Sequence, residues 1–270
     1  MIRLLNKTDQ SKLLEYLYQE PSYNIFQIGD IETFGFKENF LRIYGEFDDK
    51  KNIISTFLRY RQSGIYYAKQ NVFNHDYLEV FRKDPFNVIS GKDSLMDLIE
   101  PHLNNFKKHS TFFCSANQIK DKIKMISHPI HVLKTKEDCE KLYYFMSTIN
   151  EFKHHIGRKD DYVEGKLKSI QMGTTLFIEV NNQIVSTVAT TAETKMNAMV
   201  VSVATAPYYR HKGLATSLLQ KLMDVYINKK NKSLCLFYDN PNAGKIYLSL
   251  GFKTIGKWSM YFYQKDHDES

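Results

Sequence analysis

Hydrophobic and polar positions change period along the chain, and each change marks an element. In the second half a strand is predicted at about 130–135. A helix at about 137–149 follows, with Cys139, Leu142, Tyr143, Met146 and Ile149 near helical spacing. The polar run NEFKHHIGRKDD reads as a loop, and a short helix at about 161–171 is expected to end before Gly173 as its C′ residue. TLFIEV predicts a strand, NNQ a turn, and IVSTVATTAET and NAMVVSVAT two more strands. Residues 213–228 place Leu214, Leu218, Leu219, Leu222, Val225 and Tyr226 on one helical face. LCLFY is a strand, and DNPNAG is turn chemistry opening another helix, closed by Gly251. FKTIGKWSMYFY reads as a final hairpin-like pair.

The first half repeats this order faintly. Strand 2–5 precedes helix 9–19, and NFLRIYGEFD, IISTFLRYR and GIYYAKQ predict an antiparallel meander. FNVISGKDSLMDLIEPHL reads as strand, turn and helix, and STFFCSA as a strand. The division falls in MISHPIHVLKT, where Pro129 biases His128 toward extended backbone. Two domains, 1–126 and 130–270, with a duplicated element order are therefore expected. A chain of 270 residues suits that count, at about 100–200 residues per domain.

Composition narrows the function classes. Apolar residues are 43% and charged residues 25% of the chain, which suits packed cores and argues against disorder. The net charge of +7 favours anionic partners such as phosphates or nucleotides. The lysines are scattered, with no run of five basic residues, which argues against nucleic acid. Cys114, Cys139 and Cys235 are odd in number and far apart, so disulfides and a cysteine metal site are not expected. No window approaches 18 consecutive apolar residues, and no targeting segment is read at the N-terminus. The expectation is a soluble cytoplasmic protein that is not held in a membrane.

Candidate chemistry concentrates in VSVATAPYYRHKGLATSLLQKLMD, residues 201–224. A strand runs into Pro207, crosses a basic loop and becomes a helix. The first helical turn leaves amides without intrahelical acceptors, and the macrodipole adds about half a positive charge. Gly213 and Ala215 keep bulk away, and Arg210 and Lys212 add charge, so the turn suits a phosphate. An ordinary strand-to-helix turn containing a glycine is the competing reading.

The same residues resemble the cofactor signature of the GNAT superfamily, the GCN5-related N-acetyltransferases. Arg210, Gly213 and Ala215 fill its R/Q-x-x-G-x-G/A pattern. Downstream, NPNAGKIYLSLGF resembles the family's second motif, with Asn240, Ala243, Ile246, Tyr247, Gly251 and Phe252 in place. The resemblance covers about residues 130–270. It implies the α/β (α+β) class, as tandem GNAT-like lobes, each a mixed, mostly antiparallel sheet flanked by helices. It implies that strand Val201–Thr205 splays from Leu234–Tyr238 and that acetyl-coenzyme A lies in the opening. Val203, Ala204 and Thr205 would contact the pantetheine, Arg210, His211, Lys212, Gly213, Leu214, Ala215 and Thr216 the diphosphate. Asn240 and Ala243 would line the exit toward the sulfur. A backbone amide near Val203 would face the oxyanion. Tyr247 would protonate the leaving thiolate, since an ordinary phenol stays protonated at neutral pH.

The resemblance thus implies transfer of an acetyl group from acetyl-coenzyme A to a primary amine of a small or amino-acid-like acceptor, with no metal. Glu179 and Glu193 are the carboxylates considered as the base; neither stands out, and a water relay serves equally. His154-His155 lacks metal-ligand spacing and reads as polar loop, with substrate contact as the alternative. Trp258 and Met260 read as core rather than as acceptor pocket. Arg61-Gln62-Ser63-Gly64 begins like the signature, but Tyr66 stands where Gly or Ala is needed and the flanks read as a hairpin. The first lobe is therefore expected to be degenerate, without a cofactor site. A non-catalytic acyl-coenzyme A or protein-interaction module is the competing class, and self-association into a homodimer is left open.

Overall fold

A computed structural model describes residues 1–120, 128–154 and 156–264. In chain order the elements are β1 (Ile2–Leu4), α1 (Gln10–Leu17), α2 (Ile25–Phe34), β2 (Leu41–Phe47), β3 (Ile53–Tyr60) and β4 (Ser63–Ala68). Then come α3 (Tyr77–Lys83), β5 (Val88–Lys92), α4 (Asp93–Ile99) and β6 (Phe106–Ala116). The second half carries β7 (His131–Val132), α5 (Lys136–Thr148), α6 (Lys159–Ser169), β8 (Thr175–Val180), β9 (Gln183–Thr191) and β10 (Asn197–Thr205). It ends with α7 (Leu214–Met223), β11 (Ser233–Tyr238), α8 (Pro241–Leu250) and β12 (Lys253–Tyr263).

The chain forms two compact units. The first takes Met1–Cys114 with Phe237–Asp239 and the chain from Thr254 onward. The second takes Ser115–Leu236 with Asn240–Lys253. Both are mixed sheets flanked by helices.

In the first unit the strand order is β1-β2-β3-β4-β5-β12-β6. β1 to β4 pair antiparallel in succession, and β4 pairs parallel with β5. Successive side chains of a strand face opposite sides, so each face has its own core. Leu58 and Tyr67 pack with Leu13, Leu17 and Ile28 from α1 and α2. Their neighbours Phe57 and Tyr66 pack with Tyr77, Phe81, Leu95 and Met96 from α3 and α4.

The second unit repeats the scheme. β7, β8, β9 and β10 pair antiparallel in succession, and β10 pairs parallel with β11. Two helices follow the first strand in each unit, and a capping box opens both pairs. In one, Asn6 accepts from the chain ahead of α1 while Asp9 reaches back. In the other, Thr135 accepts from the Asp138 amide and the Asp138 carboxylate accepts from Thr135. Each box satisfies helix-end amides that packing leaves open. Cys139, Leu142, Phe145 and Met146 then turn inward onto Phe177 and Ile184.

The structure departs from the expected elements in a few places. α2 and α3 were not anticipated; α2 reads IFQIGDIETF, with too many apolar residues to show one face. The final segment is one strand, β12, rather than a hairpin, and it pairs antiparallel with β5 through Trp258↔Lys92 to Phe262↔Val88. Gly256 is present for close approach rather than for a turn. A Cβ there would stand 2.3 Å from the Tyr23 hydroxyl, which donates to the Ile255 carbonyl at 2.6 Å. Thus residues after Thr254, expected with the 130–270 segment, are counted in the first unit. The boundary expected near 126 falls outside the described residues. Helix α6 ends at Ser169, so Gly173 does not cap it. Arg61-Gln62 is the turn of the β3–β4 hairpin, as expected for the false signature.

Candidate functional site

The site in the second unit begins with a fault in β10. Its register against β9 runs Val201↔Ala189, then Ala204↔Thr187, so one extra residue is inserted. Ser202 within this bulge has φ +54°, left-handed backbone that a non-glycine residue seldom adopts. A bulge re-aims the strand. β10 is paired with β11 from Asn197↔Ser233 to Met199↔Cys235, and Val203–Thr205 lie beyond that stretch. The Ser186 hydroxyl holds the far end, donating to the Ala204 carbonyl at 3.0 Å.

Pro207–Tyr209 make one tight turn, and the chain then enters α7 through two left-handed residues, His211 (φ +62°) and Gly213 (φ +77°). No side chain caps the helix at Gly213. Packing rather than capping fixes its position. Leu214, Leu218, Leu219, Leu222, Met223 and Tyr226 are all buried. Each large apolar side chain so removed from water stabilises by about 1.5–3 kcal/mol as an upper estimate. The first-turn amides can therefore serve a ligand without the helix depending on them. After Met223 the helix continues as a π-helical stretch, Asp224–Lys229.

α8 opens at Asn240, whose side chain accepts from the Asn242 amide at 2.9 Å, with Pro241 at the first helical position. It ends at Gly251 in left-handed backbone, with the Phe252 amide bonded back to the Tyr247 carbonyl at 3.1 Å. That closure sets the Tyr247 ring 6.0 Å from the Phe252 ring, and Tyr247 is buried.

These elements enclose a cleft of about 760 Å³. It is lined by Val203, Ala204 and Thr205 from β10, by Arg210, His211, Gly213, Leu214, Ala215 and Thr216 from the turn, and by Asn240, Ala243 and Tyr247 from α8. Every predicted site residue except Lys212 is in that wall. Lys212 is turned aside, its Nζ 5.0 Å from the centre of the Tyr209 ring. The wall also holds Ile246, already placed by the second motif, and Ile149, Glu151, Phe152, Tyr209, Leu219 and Asn242, which sequence reasoning did not assign to the site. Asn242 lies inside the second motif at a position where the motif specifies no residue. For Glu151 and Phe152 the clue was only the polar loop after α5.

Charge in the cleft centres on Arg210. Its Nε donates to the Thr205 carbonyl at 3.1 Å, and its Nη2 is 3.9 Å from Glu151 Oε1. Both side chains are exposed, so this ion pair adds about 0–1 kcal/mol to stability. Neither carboxylate considered from the sequence lines the cleft. Glu179 pairs with Lys141 at 3.4 Å. Glu193 accepts from Lys232, Lys230 and Tyr226 at 2.8–3.1 Å. Burial alone would raise its pKa, but these partners hold it below the usual carboxylate range. Trp258 is buried in the first unit against Phe26, Phe113 and Phe237, and Met260 is half-buried. His154 is exposed, and His155 lies outside the described residues. Burial pushes the Cys114 and Cys139 thiols up. Among the described residues no three His, Cys, Asp or Glu side chains group as metal ligands, and no helix is long and apolar enough to cross a membrane.

The GNAT acetyltransferase family model matches residues 36–261. The chain belongs to that family. The match begins well inside the first half, earlier than the segment about 130–270 that carried the resemblance in the sequence. No curated protein matches the sequence. Among solved structures, the chain resembles a GCN5-related N-acetyltransferase-like protein from Streptococcus suis. Identity is 16%, the alignment covers 96% of this chain and 100% of that one, and the TM-score is 0.58. It also resembles a Drosophila protein at 10% identity, covering 97% and 98%, with a TM-score of 0.68. A tandem GNAT protein from the clavulanic acid biosynthesis pathway is similar at 8% identity, covering 97% and 98%, with a TM-score of 0.57. At these identities the likeness concerns the GNAT fold. Membership makes the chain an N-acetyltransferase in general terms.

Proposed function

We propose that the protein transfers an acetyl group from acetyl-coenzyme A to a primary amine of a small or amino-acid-like acceptor, in the second of two tandem GNAT-like lobes. The observation that carries this reading is the single cleft uniting the bulged end of β10, the uncapped start of α7 and Tyr247. Its residues fit the cosubstrate. Gly213, Ala215 and Ala243 put no bulk into the wall, and the first-turn amides of α7 with Arg210 suit a diphosphate. Val203–Thr205 offer strand backbone against which an extended amide-bearing arm can lie as an added strand.

Each residue then has a task. The amides of Gly213–Thr216 hold the diphosphate and so set the depth of the thioester. A backbone N–H at the β10 bulge faces the carbonyl oxygen where negative charge develops. The Tyr247 hydroxyl donates a proton to the departing thiolate. The first lobe repeats the strand order without the signature.

Thiol release from acetyl-coenzyme A over an amine panel tests the reading. Tyr247→Phe is expected to lower kcat roughly 10- to 100-fold with coenzyme A affinity within about twofold. Coenzyme A binding without thiol release from any amine would instead leave an acyl-coenzyme A sensor.

A further inference from the structure

Among the described residues lining the cleft, Glu151 is the one carboxylate. It stands between α5 and α6 on a hydrogen-bonded turn, where the Phe152 and Lys153 amides both donate to the Ile149 carbonyl at 2.9 Å. Ile149 and Phe152, on either side of it, present apolar surface to the same cleft. Its partner is Arg210, which already donates to the Thr205 carbonyl.

We propose that Glu151 is the counter-ion for the acceptor's ammonium, and that Arg210 is its resting partner. This rests on the acetyltransferase reading. A guanidinium at the start of α7 is the natural partner of a diphosphate. Once a diphosphate takes Arg210, Glu151 loses its partner and faces an added negative charge. A cation entering beside Glu151 relieves both effects. On a chain of net charge +7, a cationic acceptor needs such a local carboxylate. The flanking Ile149 and Phe152 suit methylenes, so the acceptor class is an alkyl amine carrying positive charge. The two ligands also assist each other: coenzyme A tightens the amine, and the amine tightens coenzyme A by the same factor.

The test compares wild type, Glu151→Gln and Glu151→Asp with two nucleophiles, 1,4-diaminobutane and methoxyamine, the second uncharged at pH 7. Glu151→Gln should raise KM for the diamine about tenfold, leave kcat within about twofold, and leave KM for methoxyamine unchanged. Glu151→Asp should recover part of the loss. Coenzyme A affinity without amine should be equal or tighter in Glu151→Gln. Equal changes for both nucleophiles, or none for either, would overturn the assignment. If wild type releases thiol with neither nucleophile, the acetyltransferase reading has failed instead. Calorimetric titration of 1,4-diaminobutane with coenzyme A present then decides Glu151 independently: heat lost in Glu151→Gln supports it, and equal heats refute it.

Discussion

Two turns of this molecule occupy the same place in the same strand order and end differently. In the second unit β10 runs past its pairing with β11, bulges at Ser202, and hands over to an α7 that opens with Gly213 and Ala215, leaving a cleft. In the first unit β4 pairs parallel with β5 in the same way, from Ser63↔Val88 to Ile65↔Ser90. There the strands stay close: a Cβ on Gly91 would stand 2.8 Å from the Tyr66 carbonyl oxygen. The Tyr66 ring lies 5.2 Å from Tyr77 and 5.4 Å from Phe73, and its hydroxyl donates to the Val72 carbonyl at 3.0 Å. Burial pushes that phenol up to about 12. Aromatic side chains and their hydrogen bonds fill one crossover, and small residues with open backbone vacate the other. The topology supplies a place for a cleft; the residues at the turn decide whether there is one.

The strongest way to break this comparison is to remove a strand. Ending the chain after Lys253 deletes the partner of β5 and the buried Trp258 and Tyr261. The loss approaches the whole stability of a domain, about 5–15 kcal/mol. Hydrogen exchange should show Val88–Lys92 unprotected. Protection retained there would mean that β12 is dispensable to the first sheet.

Paired glycine substitutions sharpen the contrast. Gly213→Val puts a β-branched residue at φ +77° and a side chain beside the cleft. Coenzyme A affinity by calorimetry should fall at least about 100-fold, a loss near 3 kcal/mol, and the left-handed backbone adds a stability loss of about 1–2 kcal/mol. Gly91→Val should touch stability alone, crowding the Tyr66 carbonyl and costing about 1–3 kcal/mol, roughly 3–10 °C in Tm. Its coenzyme A affinity should not change. Similar effects on coenzyme A affinity at both glycines would erase the distinction.

The smallest effect concerns Asp30 in the first unit, whose carboxyl burial pushes up from 3.8 to about 7. Between those values the folded state holds a proton that the unfolded state has released. Stability therefore falls as pH rises from about 4 to about 7. Asp30→Asn should flatten that slope and raise stability at pH 8, by about 1–3 kcal/mol at most. A parallel profile for the variant would show that Asp30 titrates normally.

Legibility in the sequence followed the range of each interaction. The turn at 210–216 and the motif at 240–252 were readable because helix-end amides, a left-handed glycine and an asparagine cap are properties of a few adjacent residues. The β2–β4 meander was readable because alternation is local. α2 was not, because both of its sides are covered and its apolar residues show no single face. β12 was misread because Gly256 resembles a turn residue, whereas its missing side chain makes room for Tyr23. Glu151 passed unnoticed because nothing near it in the chain announces Arg210.

Short-range chemistry thus carried the elements, the phosphate-suited turn and the motif tyrosine, since backbone geometry and capping act over one or two helical turns. The folded chain alone decided that β12 completes the first sheet, that Tyr66 and Tyr77 close one crossover, and that Glu151 faces Arg210 across the other. Those outcomes depend on which distant side chains compete for the same volume and the same charge. A linear pattern does not encode that competition until the strands have paired.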